Sequence, residues 1–374
     1  MDKHKRKLNI VFLDFDDIKN PLLGAGQARA TLEVGRRLSE KGHKVTVLCS
    51  RYPGYTDRTE HGIFYKHIGL GTGNIRLNNL FYILLLPFSV RKIRADIIVE
   101  CFTAPISTLF SPLFTKITIV ALPTSFEAER FSKLYHLPFD KIEKFGLRFY
   151  KYFLPYTKYM DGQIKKVNPK IYSKIVPEGV SKEFFKIQQR QSKHILFLGR
   201  LDSGQKGIDL LLDAYSRVST KINYPLVIAG NGPDELKILK KIHSLNLESS
   251  VRLFGPAFGE KKSKLLSEAL FVAFPSRHEG FSLFSLEALA SGLPIIGFDI
   301  PGLSFADEKV ALKAKPFDTK QYASLLLKAT NKKLISYMKK NCREFAKKYT
   351  WENVAANFEL FFMEILNSKN KAVN

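Results

Sequence analysis

Short apolar runs alternate along the chain with stretches whose apolar residues return every three or four positions. LNIVFLDF (8–15) reads as a strand, ARATLEVGRRLSEKG (28–42) as a helix and KVTVLCS (44–50) as a second strand, and ADIIVE (95–100) and KITIVAL (116–122) extend the same sheet. The sequence turns polar and mixed at KIQQRQSK (186–193), and the pattern then restarts with HILFLGRL, LVIAG, VRLFG, FVAFP and PIIGF, each bounded by Gly or Pro. Strands alternating with helices in this way predict parallel α/β sheets. The expected architecture is therefore two doubly wound domains, 1–183 and 194–349, joined by a linker at 184–193. The last stretch, TWENVAANFELFFMEIL, places Val354, Phe358, Phe361, Phe362 and Ile365 at helical spacing behind Thr350 as N-cap. It predicts a terminal helix over 350–374, packed back on the N-terminal domain. In open sheets of this kind ligands bind at the carboxyl ends of strands, so a shared site is expected in the cleft where the two domains face each other.

The segment HEGFSLFSLEALASG (278–292) carries two carboxylates, Glu279 and Glu287, in an otherwise apolar or small run. Leu283, Leu286, Leu289 and Ala290 predict a helix over 283–290, entered through Gly280, Phe281 and Ser282 and stopped at Gly292. Such an entry aims unpaired backbone N–H groups and the positive end of the helix dipole outward, which suits a phosphate. One acid lies ahead of that anion site and one behind it. Carboxylates accept hydrogen bonds from paired sugar hydroxyls, so the ligand implied is a diphosphate with a hydroxylated ring at each end. Taken singly, either glutamate also reads as a solvated surface charge.

Other loops at predicted strand ends add to this. GRLDSGQKG places Gly199, Arg200 and Lys206 after a strand, where two cations could grip a diphosphate. AGNGPDE supplies a tight turn with Gly230, Asn231 and Gly232, and Gly24, Ala25 and Gly26 stand between the first strand and first helix, where small residues allow close approach of a ligand. Asp14, Phe15 and Asp16 have the form of a metal-binding DxD but follow directly on a strand, and a metal-free site is expected. His136 and His278 have no identifiable partner and read as surface residues.

Composition changes the picture at two points. Cys49, Cys101 and Cys342 are odd in number and widely spaced, which suggests neither disulfides nor a metal-ligand pair and points to a reducing, cytoplasmic setting. The amino-terminal apolar run is broken by Asp14, Asp16 and Asp17, unlike an ordinary signal peptide. The net charge of +24 implies attraction to polyanions. Against nucleic acid, the basic residues are spread along the chain and form no recognised module. For an anionic membrane surface, including the inner face of a cell membrane, there is a local candidate: LFYILLLPFSV (80–90), followed by Arg91, Lys92 and Arg94. The favoured reading of that run is a buried helix of the first domain.

With these pieces in order the sequence resembles the family 4 glycosyltransferases, retaining enzymes with the GT-B fold of two Rossmann-like domains. GRLDSGQKGIDLLLDA, LVIAGNGPDE, VRLFGPA and PSRHEGFSLFSLEALASGLPIIGFDIPGL follow the family's order and spacing, including its two glutamates eight apart. DIKNPLLGAGQARATLEVGRRLSEKG is similar to its glycine loop and first helix, and IVPEGVSKEFF to its interdomain stretch. The resemblance implies transfer of a sugar from a UDP- or GDP-sugar to a hydroxyl of a glycan or lipid-linked acceptor, as in cell-surface polysaccharide or glycolipid synthesis, with no cofactor. It implies that Arg200 and Lys206 bind the donor diphosphate, that Glu279 holds the donor sugar and Glu287 the ribose, and that the amides of Phe281, Ser282 and Leu283 cap the phosphates. Gly24, Ala25 and Gly26, with Gly199, Gly230, Asn231, Gly232 and Gly280, would lie along the donor. The chain departs from the family at Ala25 and Gln27, where many relatives have Gly and an acid, at Pro123, Thr124 and Ser125, where they commonly place a histidine, and at Ser282, often a glycine. Those departures keep open a nucleotide-sugar-binding protein without transfer activity, and the charge a polyanion-binding protein.

Overall fold

The structure, a computed structural model, describes residues 6–23, 26–102, 108–124, 126 and 128–373. They divide into two compact units, residues 1–178 with 351–374, and residues 179–350. The first unit is built on strands β1 (Asn9–Leu13), β2 (Lys44–Ser50), β3 (Arg58–Glu60), β4 (Ile63–Ile68), β5 (Ile97–Phe102), β6 (Thr118–Pro123), β7 (Tyr152–Phe153) and β8 (Tyr172–Ser173). Their spatial order is β3-β4-β2-β1-β5-β6-β7-β8, with only β3 antiparallel to its neighbour. β1 is the centre, with Ile10 facing Val45 on one side and Ile97 on the other. Its helices are α1 (Gly26–Glu40), α2 (Ile75–Lys92), α3 (Ala128–Tyr135), α4 (Phe139–Gly146) and α5 (Lys158–Val167).

The second unit has β9 (His194–Leu198), β10 (Leu226–Ala229), β11 (Val251–Gly255), β12 (Ala269–Phe274), β13 (Ile295–Phe298) and β14 (Ala311–Ala314) in the all-parallel order β11-β10-β9-β12-β13-β14. Its helices are α6 (Lys182–Phe185), α7 (Ser203–Lys206), α8 (Ile208–Ser216), α9 (Glu235–Ser244), α10 (Gly259–Ser267), α11 (Leu283–Ala290), α12 (Thr319–Lys328) and α13 (Lys332–Ala346). Strands continuous in Ile, Val, Leu and Phe are buried on both faces, as β9 and β12 are, because helices cover both sides of a parallel sheet. Both sheets reverse their winding at the central strand, β1 in one and β9 in the other. The architecture is that of two doubly wound α/β domains.

α14 (Trp351–Val373) returns to the first unit and packs on α1. Val354, Phe358, Phe361, Phe362 and Ile365 are buried, and Glu359, also buried, accepts Lys41 Nζ at 2.6 Å. Two expectations need correction. Residues 184–193 do not form a free linker. Phe184 is buried, the Gln189 amide donates to the carbonyls of Leu266 and Ser291, and the backbone N–H groups of Arg190 and Lys193 bond to Ser267 and Glu268. The polar side chains that made the stretch read as a linker are the ones that fasten it to the second unit, and the change of unit falls earlier, after Glu178. The apolar run 80–90 is helical but not buried all round. α2 buries Asn78, Tyr82, Leu86 and Val90, one residue per turn, and leaves Leu80, Leu84, Leu85 and Phe88 exposed.

Candidate functional site

In the second unit the strand order switches between β9 and β12, so the chain leaves their carboxyl ends in opposite directions and opens a crevice there. The loop after β9 carries Gly199, Arg200 and, on α7, Lys206; the loop after β12 carries His278 and Glu279. These loops are tied together. Asp202 caps α7 by accepting the Gln205 N–H at 3.1 Å, and Asp234, from the loop after β10, accepts the Ser203 N–H at 2.8 Å. Arg277 donates to the Ser203 carbonyl at 2.6 Å and makes a two-pronged ion pair with Asp209 at 2.7 and 2.8 Å, while its own N–H bonds to the Gln205 carbonyl. Burial works to raise the Asp209 carboxyl, yet the two-pronged Arg277 guanidinium holds it below its ordinary range.

The result is that Lys206 Nζ forms an ion pair with Glu279 Oε1, which also accepts Ser276 Oγ at 3.1 Å. The two side chains are 24% and 11% exposed, dry enough to strengthen the attraction yet still reached by solvent. Gly302 lies against Glu279: a Cβ there would stand 2.2 Å from the Glu279 Cβ, so only glycine leaves that carboxylate its place. Arg200 is not drawn into the pair. It is 59% exposed and bonds within its own loop, to Gln205 at 2.5 Å and Asp202 at 3.3 Å.

α11 begins and ends where the apolar spacing put it. Ser282 is its N-cap, the hydroxyl accepting the Ser285 N–H at 3.2 Å, which explains how serine serves where relatives often have glycine. The Ser282 N–H, however, is donated to the Gly302 carbonyl at 3.2 Å, so it is not free to cap a phosphate in this arrangement. Phe281 is buried with its ring 4.7 Å from that of Phe305, Leu283 opens the helix, and Gly280 is half-buried beside Glu279. Glu287, on the second turn, accepts Lys262 Nζ of α10 at 2.6 Å, and that ammonium also lies over the Phe184 ring at 4.9 Å. Lys262 carried no sequence signal. It is one of 59 basic residues, in a helix rich in lysine.

The glycines after β10 serve the protein before any ligand. Gly230 has φ of 143°, and a Cβ there would stand 1.8 Å from the Gly199 carbonyl oxygen. Gly232 approaches Leu201 in the same way, while Asn231 lends its carbonyl to the Leu201 N–H at 2.8 Å. They let the loops after β9 and β10 touch.

In the first unit, Gly24, Ala25 and Ser125 lie outside the described residues, and Gly26 is the first residue of α1. Gln27 is buried, donating to Thr31 Oγ1 and accepting from the Tyr156 hydroxyl, each at 3.2 Å. Thr124 donates to the Phe102 carbonyl at 2.6 Å. Asp14 and Asp16 are buried in a turn: Asp14 accepts the Thr31 hydroxyl and the Asp16 N–H, and burial pushes its carboxyl up to about 6. Asp17 accepts both Arg58 Nη atoms at 2.7 Å and lies 2.9 Å from His67 Nε2, while His67 Nδ1 meets Asp57 at 2.9 Å. Asp17, Cys49 and His67 are the one metal-sized cluster among the described residues, but Arg58 already occupies the carboxylate. His136, with φ of 54°, closes α3 at the surface, and His278 is exposed.

Comparison with known proteins decides the family. Residues 24–184 match the model described as Glycosyltransferase Family 4, and residues 180–349 that of Glycosyl transferases group 1. The chain belongs to the family 4 glycosyltransferases. An uncharacterized glycosyltransferase of Methanocaldococcus jannaschii is 28% identical over 217 residues, covering 56% of this chain and 58% of that protein. The chain spans less than two thirds of the curated relatives it matches first. Among solved structures, sucrose-phosphate synthase from Thermosynechococcus elongatus superposes with a TM-score of 0.78 at 16% identity, over 97% of this chain and 100% of that one. HepE of Anabaena, solved in complex with UDP and glucose, gives 0.69 at 13% identity over 96% and 100%. These likenesses show the GT-B fold of the family.

Proposed function

We propose that this family member is a retaining glycosyltransferase that moves a sugar from a UDP- or GDP-sugar to an acceptor hydroxyl of a glycan or a lipid-linked glycan in surface polysaccharide or glycolipid synthesis. The observation that carries the reading is the Lys206–Glu279 pair at the β9/β12 switch point, with Glu287 placed one helix further on. Lys206 turns its ammonium to the donor diphosphate while Glu279 accepts the hydroxyls of the transferred sugar, each having held the other in place. Glu287, oriented by Lys262, accepts the ribose hydroxyls. Arg200, exposed and held only by its own loop, swings onto the diphosphate when donor arrives. A charge-assisted hydrogen bond of this kind contributes about 1.5–3 kcal/mol.

No side-chain nucleophile is assigned. The bond from the anomeric carbon to the diphosphate oxygen breaks with its electron pair leaving on the diphosphate, where Lys206 and Arg200 stabilise the growing charge. The acceptor oxygen bonds to the same face of that carbon and its proton passes to the departing diphosphate, so the work is positioning and electrostatics. No metal or other cofactor has a part in this scheme, and the first unit is the acceptor domain.

A second reading, nucleotide-sugar binding without transfer, is favoured by Thr124 and Gln27, whose polar groups are spent on Phe102, Thr31 and Tyr156. Nucleotide release with a panel of hydroxyl acceptors separates the two, and NMR of the product's anomeric configuration tests retention. Donor binding without release under any acceptor supports the second reading; an inverted product contradicts the first.

A further inference from the structure

α2 presents two apolar faces and the protein covers one of them. Its N-cap Asn74 accepts the Arg76 and Leu77 N–H groups, fixing the start of the helix. Asn78, Tyr82, Leu86 and Val90 point into the first unit, and the Tyr82 hydroxyl is anchored on the Leu48 carbonyl at 3.0 Å. On the outer side Leu77, Leu80, Leu84, Leu85 and Phe88 are 42%, 49%, 55%, 40% and 61% exposed. At 3.6 residues per turn they form one stripe roughly 140° wide. Large side chains packed together in solvent are the informative kind of exposure, since a lone exposed leucine is ordinary and a contiguous stripe is not.

Cations frame the stripe. Arg76 stands at its beginning with the guanidinium 5.7 Å from the Tyr135 ring, and Arg91, 5.6 Å from the Phe114 ring, closes its last turn with Lys92 and Arg94 beyond. From His61 to Ala95 the sequence contains no Asp or Glu. Beside those two ring contacts, Leu137 and Leu113 are also more than half exposed, so the apolar surface continues past both ends of the helix.

We propose that this face of α2 is a docking surface for an anionic lipid bilayer, with the leucines and Phe88 seated at the level of the headgroups and Arg76, Arg91, Lys92 and Arg94 on the lipid phosphates. The charge decides the occupant. A second copy placed face to face would set the same four cations against one another in a chain already at +24, whereas an anionic surface neutralises them. The helix lies in the interface and does not cross it. Its inner face belongs to the protein core, and no helix among the described residues is long and apolar enough to span a membrane. This surface is independent of the donor reading and would bring the enzyme to an acceptor carried on lipid.

The test is co-sedimentation of the full chain at low salt with phosphatidylcholine vesicles with and without phosphatidylglycerol. The wild type is expected to pellet with the anionic vesicles and largely to stay in solution with the neutral ones. Leu84→Asn with Phe88→Asn should lower the bound fraction at least tenfold, and Arg91→Gln with Lys92→Gln should do so at low salt as well. All four side chains are exposed, so the variants should melt with the wild type and keep its nucleotide-induced shift. Loss of that shift with vesicle binding intact would count against the donor reading alone. A wild type that stays in solution with anionic vesicles, a double Asn variant that binds like the wild type, or a lipid-free dimer broken by Phe88→Asn overturns the proposal.

Discussion

The two sheets wind alike, yet charged residues at the carboxyl ends of their central strands meet opposite fates. After β1, Asp14, Asp16 and Asp17 are buried: Thr31 bonds Asp14, Asp16 accepts the Asp17 N–H, and Arg58 and His67 close on Asp17. After β9 and β12, Lys206 and Glu279 are paired but remain partly open, and Arg200 is held only by its own loop. The same place in the same topology thus holds a structural lock in one unit and a partly exposed charged pair in the other. What separates them is whether the neighbouring strands bring a complete set of partners. β3 and β4 deliver Arg58 and His67 to Asp17, while the loops around β9 are fastened by Arg277, Asp209 and Asp234 and leave the Lys206–Glu279 pair partly exposed.

The largest effect should come from opening the lock. Asp17→Ala leaves Arg58 and His67 buried without their shared carboxylate, and removing one partner of a buried pair costs about 3–5 kcal/mol. Urea unfolding should show that loss, with nucleotide binding retained by any protein that remains folded. A loss under about 1 kcal/mol would mean the two strand ends are not differently built.

Next comes the open site. Lys206→Ala should lower turnover roughly 100- to 1,000-fold, as removal of one preorganised donor to a developing anion does. Arg200→Ala should cost less, because Arg200 is exposed and must be recruited. Melting temperatures of both should stay near the wild type. Equal losses would erase the distinction drawn between the two cations.

The pH dependence separates the units again. Asp14 is raised to about 6, chiefly by burial, so the folded state keeps a proton that the unfolded chain, with an ordinary value of 3.8, has released. Its contribution is fully present below about pH 4 and is lost as pH rises through 6, by about 3 kcal/mol. Asp14→Asn should flatten that part of the stability profile. An unchanged slope would show that Asp14 is ionised in the fold.

The smallest expected effect is at the far end of the site. Glu287→Gln keeps the shape and loses the charge that faces Lys262, and should weaken donor affinity about tenfold, the equivalent of one charge-assisted hydrogen bond. Donors lacking a ribose hydroxyl should lose less in this variant than in the wild type, which a purely structural role for Glu287 would not produce.

Much of this was legible in the sequence, and the remainder depended on neighbours distant along the chain. α11 could be bounded at 283–290 because its apolar spacing and its cap are local properties. The strands were readable because continuous Ile, Val and Leu runs bounded by Gly and Pro have few other interpretations. Lys262 was not readable: its pairing with Glu287 joins residues 25 positions apart on two helices, and nothing distinguishes it from the lysines beside it. Nor could the face of α2 be read, since a helix apolar on both sides has no period to say which side the core takes. The segment 184–193 misled for a related reason, because polarity signals a linker only when the polar groups go to solvent. Gly230 and Gly232 pointed to close approach, and in the structure they let the neighbouring loop approach.

The most direct measurement is a thermal-shift panel of UDP, GDP, ADP and their common sugar conjugates on the wild type beside Glu287→Ala. A ligand that binds only the native state raises the melting temperature by linkage. A shift with one base family, largely abolished in the variant, is the predicted result. No shift at millimolar concentrations, or a shift that the variant keeps in full, would contradict a nucleotide-sugar site at the ends of β9 and β12.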